Sequence, residues 1–376
     1  MEPGECPYCA YYKSRGARYC VRCGRDLSLG ASFCPECSSE SAKGARFCTF
    51  CGRYLGETRR RYQQDNRYPF LRGLVIATAI VGILVAVLTL IVCAWHMGDM
   101  LDTPERYGYI LYIGLGLTDY EIAVLWGNGF RAFIVIAFIV FCIFLAYAAY
   151  SFHGTAVKNG LNSAKTEHTG MAALTSCLSV SLMLSVVYFL LMALFGQETS
   201  ADFSEYEVWD LYTLLFLAGF NEELAYRVVW IGIPMMVLGF IWKRDKRSLQ
   251  YLMGGFGMSK AAVVLIFFSA ALFGLAHNSG WGWVKILDAA FGGIIFGYLY
   301  CEYGVYACML AHFLNDTMTI TVLGTLAEWF FILAGFAILI YWLLAPNRKL
   351  LDVKGMPAMN GKLPTMREQW GRHRDM

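Results

Sequence analysis

Long apolar runs alternate with short polar segments between about residue 70 and residue 345 of the chain. Three runs contain no Asp, Glu, Lys or Arg and have the roughly 20 residues that a helix needs to cross a bilayer: residues 73–95, 132–152 and 171–195. Five more are shorter or are interrupted by polar residues: residues 211–242, 261–277, 286–300, 303–322 and 329–345. The pattern predicts about eight transmembrane helices.

The composition supports a membrane protein. Hydrophobic residues make up 57% of the 376 residues, charged residues make up 16%, and the mean hydropathy is +0.48. Lipid leaves only helical bundles and closed barrels, and these runs are too long and too continuously apolar for alternating barrel strands. We therefore expect an all-α polytopic protein. It would be inserted through its first helix rather than by a cleavable signal peptide, because about seventy polar residues precede that helix.

The distribution of basic residues predicts the orientation. Lys and Arg concentrate before the first run, after the second and fourth, and after the eighth, whereas the alternate segments 96–129 and 198–210 are acidic. Because Lys-rich and Arg-rich loops stay in the cytosol, both termini are predicted to be cytosolic. Topology thus accounts for most of the basic residues, and the net charge of +3 gives little reason to expect a nucleic-acid partner.

The N-terminal segment contains two copies of a four-cysteine pattern. Each copy has two CxxC pairs separated by ten residues, which suits tetrahedral Zn²⁺. A reducing cytosol disfavours the disulfide alternative. We therefore predict two structural zinc ions, and the ligands are Cys6, Cys9, Cys20 and Cys23 for the first and Cys34, Cys37, Cys48 and Cys51 for the second.

This segment resembles a double zinc ribbon over about residues 4–54. So short a segment seldom folds on apolar burial alone, so zinc would supply its folding free energy. The ribbons are either a docking or regulatory head for a protein partner or a passive cap, with nucleic-acid binding a weaker option. We expect residues 1–56 to form this module, 57–69 a polar linker at the lipid surface, 70–345 the helical bundle, and 346–376 a basic cytosolic tail.

Three polar motifs interrupt the apolar runs. Because ionisable groups are costly in hydrocarbon, they indicate a functional site. In each motif two residues lie four apart and share a helical face. The pairs are Glu223 with Arg227, Phe273 with His277, and His312 with Asp316.

Each pair suggests a role. A carboxylate and a guanidinium can reduce each other's burial cost, an aromatic ring can hold a neighbouring imidazole, and a carboxylate can select a histidine tautomer. Glu222 points about 100° away from Glu223 on an α-helix. One glutamate is therefore expected to be held structurally, while the other is free to act.

Together and in this order, the motifs EExxxR, FxxxH and HxxxD resemble the CPBP intramembrane protease family. That family includes the type II CAAX prenyl endopeptidases and bacteriocin-processing or immunity-type relatives. The resemblance covers roughly residues 209–320 and implies an eight-helix core and a glutamate-dependent endopeptidase acting on membrane-associated peptides, among them CAAX-type prenylated ones. It implies that Glu222 is the general base, that His277 holds the water, that His312 and Asp316 stabilise the oxyanion, and that Glu223 and Arg227 scaffold the site.

Several alternatives remain open at this point. Asn315 rather than Asp316 is a second candidate for the last motif position. His277, His312 and Glu222 are also possible ligands of a catalytic zinc, although the sequence lacks HExxH. A non-proteolytic immunity or scaffold protein would keep the same fold. An ion-coupled or proton-coupled transporter would also bury such residues.

The depths of the motifs conflict in a straight-helix picture. At about 1.5 Å per residue, Glu222 and His312 fall near mid-bilayer, whereas His277 lies about 24 Å along its run, near the outer face. Bringing them together requires different run boundaries or helices that tilt or break. Pro234 and Gly239 are the expected break points.

Overall fold

The structure is a computed structural model that describes residues 31–33, 40–42, 69–197, 203–243 and 246–344. The chain forms two compact units, Met1–Tyr68 and Pro69–Met376. The eight predicted zinc ligands, the predicted linker up to residue 68 and the predicted tail at 346–376 lie outside the described residues.

The described part of the first unit is an antiparallel pair of short strands, β1 (Ala31–Phe33) and β2 (Glu40–Ala42). Phe33 pairs with Glu40 at the end where the chain reverses. The six residues between these two include Cys34 and Cys37.

The second unit is helical. In order its helices are α1 (Pro69–Trp95), α2 (Met97–Arg106), α3 (Gly127–Asn159), α4 (Ala164–Glu167), α5 (Gly170–Leu194), α6 (Val208–Glu222), α7 (Ile233–Lys243), α8 (Lys260–Ala276), α9 (Asn278–Trp281), α10 (Val284–Glu302), α11 (Val305–Thr317) and α12 (Val322–Leu344). A π-helix (Glu223–Gly232) joins α6 to α7, and 3-10 helices occupy Lys246–Met253 and Met318–Ile320.

Seven segments of the described chain are long and apolar enough to cross a membrane, which confirms the predicted all-α polytopic class. They are Phe70–Trp95, Gly127–Asn159, Gly170–Leu194, Val208–Ile241, Lys260–Trp281, Val284–Glu302 and Val322–Leu343.

The predicted run at 303–322 differs from these seven. Its helix α11 has 13 residues, or about 20 Å of length, which is shorter than the roughly 30 Å hydrocarbon core. α11 packs against α3, α5, α6 and α10, and nearly all of its side chains are buried. Protein rather than lipid surrounds α11, so its length need not match the bilayer, and the predicted number of eight is approximate.

The segment between the first two spans contains a β-hairpin, which the sequence patterns did not predict. Its strands are β3 (Tyr109–Gly114) and β4 (Asp119–Leu125), paired antiparallel with a bulge between Leu111 and Tyr112. Helix α2 precedes the hairpin and is bound to the first turn of α6. The hairpin reaches the other end of α6, where the motif glutamates lie, through its own hydrogen bonds to Asn221 and Trp230.

The anchor is a fully buried carboxylate. Asp210 accepts a hydrogen bond from Thr103 Oγ1 at 2.8 Å and pairs with Arg106 Nη2 at 2.6 Å. Ion pairing to Asp210 raises the pKa of Arg106, which therefore stays charged. The acidic residue of the predicted outer loop thus has a structural role in holding α2 to α6.

The fourth span is irregular, but not where the sequence suggested. Residues Glu223–Gly232 form a π-helix, in which the N–H of Ile233 bonds to the carbonyl of Val228, five residues earlier. Helix α7 then continues through both Pro234 and Gly239. The expected break points were therefore wrong. The wider turn lies immediately before Pro234, whose ring nitrogen has no hydrogen to donate.

Candidate active site

The last residue of α6 and the first residue of the π-helix both approach one histidine of α11. Glu223 Oε1 lies 2.8 Å from His312 Nδ1, and Glu222 Oε2 lies 3.7 Å from His312 Nε2. The two glutamates thus approach opposite nitrogens of one imidazole. Residues that are adjacent in sequence point in different directions, as predicted, yet both reach the same ring.

Glu223 and Arg227 form the ion pair that their spacing predicts. Arg227 Nε lies 3.3 Å from Glu223 Oε2, and both side chains are fully buried. The guanidinium lies over the ring of Phe273 at 4.3 Å and near the ring of Phe296 at 5.4 Å. The positive charge is therefore held between a carboxylate and two aromatic faces, with no access to solvent.

The structure distinguishes the two candidates for the last motif position. Asp316 Oδ2 lies 3.2 Å from His312 Nε2. Asn315 is exposed and donates from Nδ2 to Asp316 Oδ1 at 2.9 Å. Asp316 therefore faces His312 directly, and Asn315 acts on Asp316 rather than on the imidazole.

His277 caps the C-terminal end of α8 and is oriented by its own helix. Its Nδ1 lies 2.8 Å from the carbonyl oxygen of Phe273. Because a carbonyl only accepts, Nδ1 carries the hydrogen, and Nε2 is left for water or a ligand. The span continues to Trp281, four residues past the end of the predicted run. The depth conflict therefore arose partly from a misplaced boundary.

Phe273 joins the two histidines. Its ring centroid is 4.6 Å from that of His277 and 5.9 Å from that of His312, both edge-on. Phe296 of α10 stacks on the other side of His312 at 4.8 Å. The sequence motifs included Phe273 but not Phe296, because no polar residue marks its position.

The β-hairpin also reaches the site. Trp230 Nε1 donates to the carbonyl of Gly114 at 2.6 Å, and the Tyr226 hydroxyl donates to Asp119 Oδ1 at 3.3 Å. Burial raises the pKa of Asp119 despite the hydrogen bond from Tyr226. The hairpin residues lie about a hundred positions from their partners, so sequence periodicity had no means of relating them.

The suggested zinc site of His277, His312 and Glu222 is not formed by this arrangement. Among the described residues, no group of three or more His, Cys, Asp or Glu side chains is placed to hold a metal ion. Both ring nitrogens of His312 face carboxylates. His277 joins the group through Phe273. The geometry therefore favours hydrogen bonding within a carboxylate and imidazole cluster.

Comparison with known proteins agrees with the motifs. Residues 204–318 match the model of the Rce1-like type II CAAX prenyl endopeptidases, and residues 6–52 match that of the double zinc ribbon. No curated protein and no solved structure matched the chain. The first match runs from just before α6 to just after α11 and includes all six candidate catalytic residues. The predicted resemblance is thus confirmed: one segment of the chain is similar to the Rce1-like type II CAAX prenyl endopeptidases, and an N-terminal segment is similar to double zinc ribbons.

Proposed function

We propose that this integral multi-pass membrane protein is an endopeptidase that hydrolyses membrane-associated peptides with a water activated by Glu222. The Rce1-like match and the seven apolar helices support a membrane endopeptidase in general. The observation that carries the mechanism is the difference between two adjacent glutamates. Glu223 is fully buried and paired with Arg227, whereas Glu222 is partly exposed beside His312.

Glu222 is the available base. Its side chain is 19% exposed, while its buried Oε2 lies 3.7 Å from His312 Nε2 and makes no hydrogen bond among the described residues. The charge of Glu223 is compensated by Arg227, and Asp316 is engaged with His312. A partly exposed carboxylate that no guanidinium pairs with can orient a water and accept its proton.

The proposed reaction uses that water as the nucleophile. Glu222 takes one proton while the water oxygen bonds to the scissile carbonyl carbon, and the carbonyl oxygen becomes an oxyanion. The C–N bond then breaks, and the proton on Glu222 passes to the leaving nitrogen. His277 Nε2 binds the water, because its Nδ1 is committed to Phe273.

His312 stabilises the developing charge, and Asp316 acts through it. An imidazolium carries a hydrogen on each nitrogen, so it can donate to Glu223 from Nδ1 while its Nε2–H lies between Asp316 and the substrate. An ionised Asp316 would repel an oxyanion directly. Its proposed role is therefore to hold the imidazole in place through Nε2. Glu223, paired with Arg227, holds the ring through Nδ1.

A direct test uses the full-length protein and an internally quenched, farnesylated peptide that ends in a CAAX box, with the unprenylated peptide as a second probe. Wild type is expected to release the C-terminal fragment, and the Glu222→Gln protein is not. Two results together would overturn the proposed proteolysis. Wild type would leave both peptides uncut, and the set of protein termini in membranes would be the same whether they contain wild type or Glu222→Gln.

The two histidines are expected to act on one intermediate. His277→Ala and His312→Ala should each reduce turnover, and the double variant should cost less than the sum of the two free-energy losses. Steady-state kinetics of wild type, the two single variants and the double variant provide this double-mutant cycle. Strict additivity would indicate that the two rings act in separate steps.

We also propose that the ribbons hold two structural zinc ions. The antiparallel pairing of β1 with β2 supports this, because Cys34 and Cys37 lie between these two strands in the sequence. When bound, zinc would stabilise the fold of the module and take no part in hydrolysis. The full-length protein should contain about two zinc equivalents by elemental analysis, and Cys34→Ser with Cys37→Ser should lower this to about one. An unchanged zinc content in that variant would contradict the assignment.

The remaining proposals concern organisation. We place the ribbon module at 1–56, the linker at 57–69, the bundle at 70–345 and the tail at 346–376. Both termini are proposed to face the cytosol, and the ribbons to dock a protein partner. The division of the chain after Tyr68 supports a separate N-terminal module. Protease accessibility of the termini in sealed vesicles tests the orientation.

A further inference from the structure

The β-hairpin is fixed to the helix that carries the two glutamates. Asn221 Nδ2 donates to the carbonyl of Ile110 at 3.5 Å, and Trp230 Nε1 donates to the carbonyl of Gly114 at 2.6 Å. Tyr112 lies midway between these carbonyls in β3. It is therefore held against the stretch of helix from Asn221 to Trp230, which contains Glu222.

The Tyr112 ring packs into the aromatic cluster that carries the histidines. It meets Tyr226 edge-on with centroids 6.4 Å apart, within the group that also includes Phe273. Phe273 in turn contacts both His277 and His312. Tyr112 is thus linked to the two imidazoles through Tyr226 and Phe273.

The Tyr112 hydroxyl is unpaired. It has no hydrogen bond to any residue in the described part of the chain. Its oxygen is not fully excluded from solvent. Burial raises the pKa of Tyr112 well above its usual range, and the charge of Glu222 raises it further. The phenol therefore keeps its hydrogen at neutral pH and is available as a donor.

Donors are scarce around the proposed oxyanion. Arg227 is fully buried beneath Phe273, and His312 is shared among carboxylates. Three carboxylates surround the imidazole, so a further donor that carries no negative charge would offset their repulsion of an oxyanion. The phenol of Tyr112, on β3 of the hairpin, is such an uncharged donor.

We propose that Tyr112 is a further catalytic residue, whose hydroxyl donates a hydrogen bond to the scissile carbonyl oxygen and stabilises the oxyanion. The inference rests on the proposed glutamate mechanism. Tyr112 lies outside the matched segment 204–318, so this role does not follow from the family match.

The test compares Tyr112→Phe with wild type in the full-length protein. Phenylalanine keeps the ring contact with Tyr226 and removes only the hydroxyl. On the farnesylated CAAX peptide, kcat should fall at least about 10-fold with KM nearly unchanged, since the bond forms mainly in the transition state. Affinity for a phosphonamidate analogue of that peptide should fall by a similar factor. Tyr120→Phe on β4, where the side chain is 65% exposed, is the matched control and should behave as wild type.

The outcomes distinguish failure of the Tyr112 proposal from failure of the Glu222 mechanism on which it rests. If Tyr112→Phe matches wild type while Glu222→Gln is inactive, Tyr112 is only a packing residue and the glutamate mechanism stands. A rise in KM without a fall in kcat also overturns the transition-state role. If Glu222→Gln remains active, the proposed mechanism fails first, and the role of Tyr112 falls with it.

Discussion

Substitution of Glu222 by Gln is expected to lower turnover at least about 100-fold, while the protein stays folded and still binds peptide. Glutamine keeps the shape of the side chain but cannot accept a proton from water. No neighbour is free to replace it, because Glu223 pairs with Arg227 and Asp316 faces His312. The measurement is kcat on the farnesylated peptide, together with peptide affinity.

Glu328→Gln is the matched control for this prediction. Glu328 is another carboxylate within a span, on α12, and belongs to none of the site contacts described above. Normal proteolysis by purified Glu222→Gln would end the glutamate mechanism. A transporter would give a different result: proteoliposomes would lose flux in the Glu222 variant, and no form of the protein would cleave the peptide.

Substitution of Arg227 by Met is expected to lower the free energy of unfolding by about 3–5 kcal/mol. The change removes the cation that compensates Glu223, and both side chains are fully buried. It also removes the guanidinium from the face of Phe273. Glu223 would lose its guanidinium partner and keep only its hydrogen bond to His312 Nδ1. Reversible denaturation in mixed detergent micelles measures the loss.

The exposed pair Arg131–Glu105 provides the comparison. Its atoms are closer, at 2.6 Å, but both side chains contact solvent. Arg131→Met should therefore change the free energy of unfolding by less than about 1 kcal/mol. Adding Glu223→Gln to Arg227→Met should restore part of the lost stability, since it removes the buried negative charge of Glu223. Equal losses for Arg227→Met and Arg131→Met would contradict the buried-pair argument.

The local features of the site were predictable because each depends on residues a few positions apart. The pairs Glu223 with Arg227 and His312 with Asp316 follow from helical spacing alone, and the structure contains both contacts. The orientation of His277 was only partly foreseen. Its neighbour Phe273 packs against the ring as expected, but the backbone carbonyl of Phe273 also binds Nδ1.

Features that depend on tertiary packing were missed. The run at 303–322 has the length of a span, yet α11 is short because protein surrounds it on most sides. The hairpin of β3 and β4 was not expected, because its strands are stabilised by Trp230, Asn221 and Tyr226 of a distant helix. The π-helix was also missed, since composition does not distinguish an i→i+5 turn from an α-helical one.

The sequence by itself determined the membrane class, the approximate number of helices, the cysteine quartets and the three motifs. Hydrophobic length and short spacing are local properties, so a single chain displays them without reference to its fold. Only the tertiary structure decided that Glu223 and His312, which lie 89 positions apart, share a hydrogen bond. It also decided that Phe296 covers the imidazole and that Tyr112 packs against Tyr226. Those contacts arise from the packing of α10, α11 and β3 around the π-helix, and such packing leaves no periodic trace in the sequence.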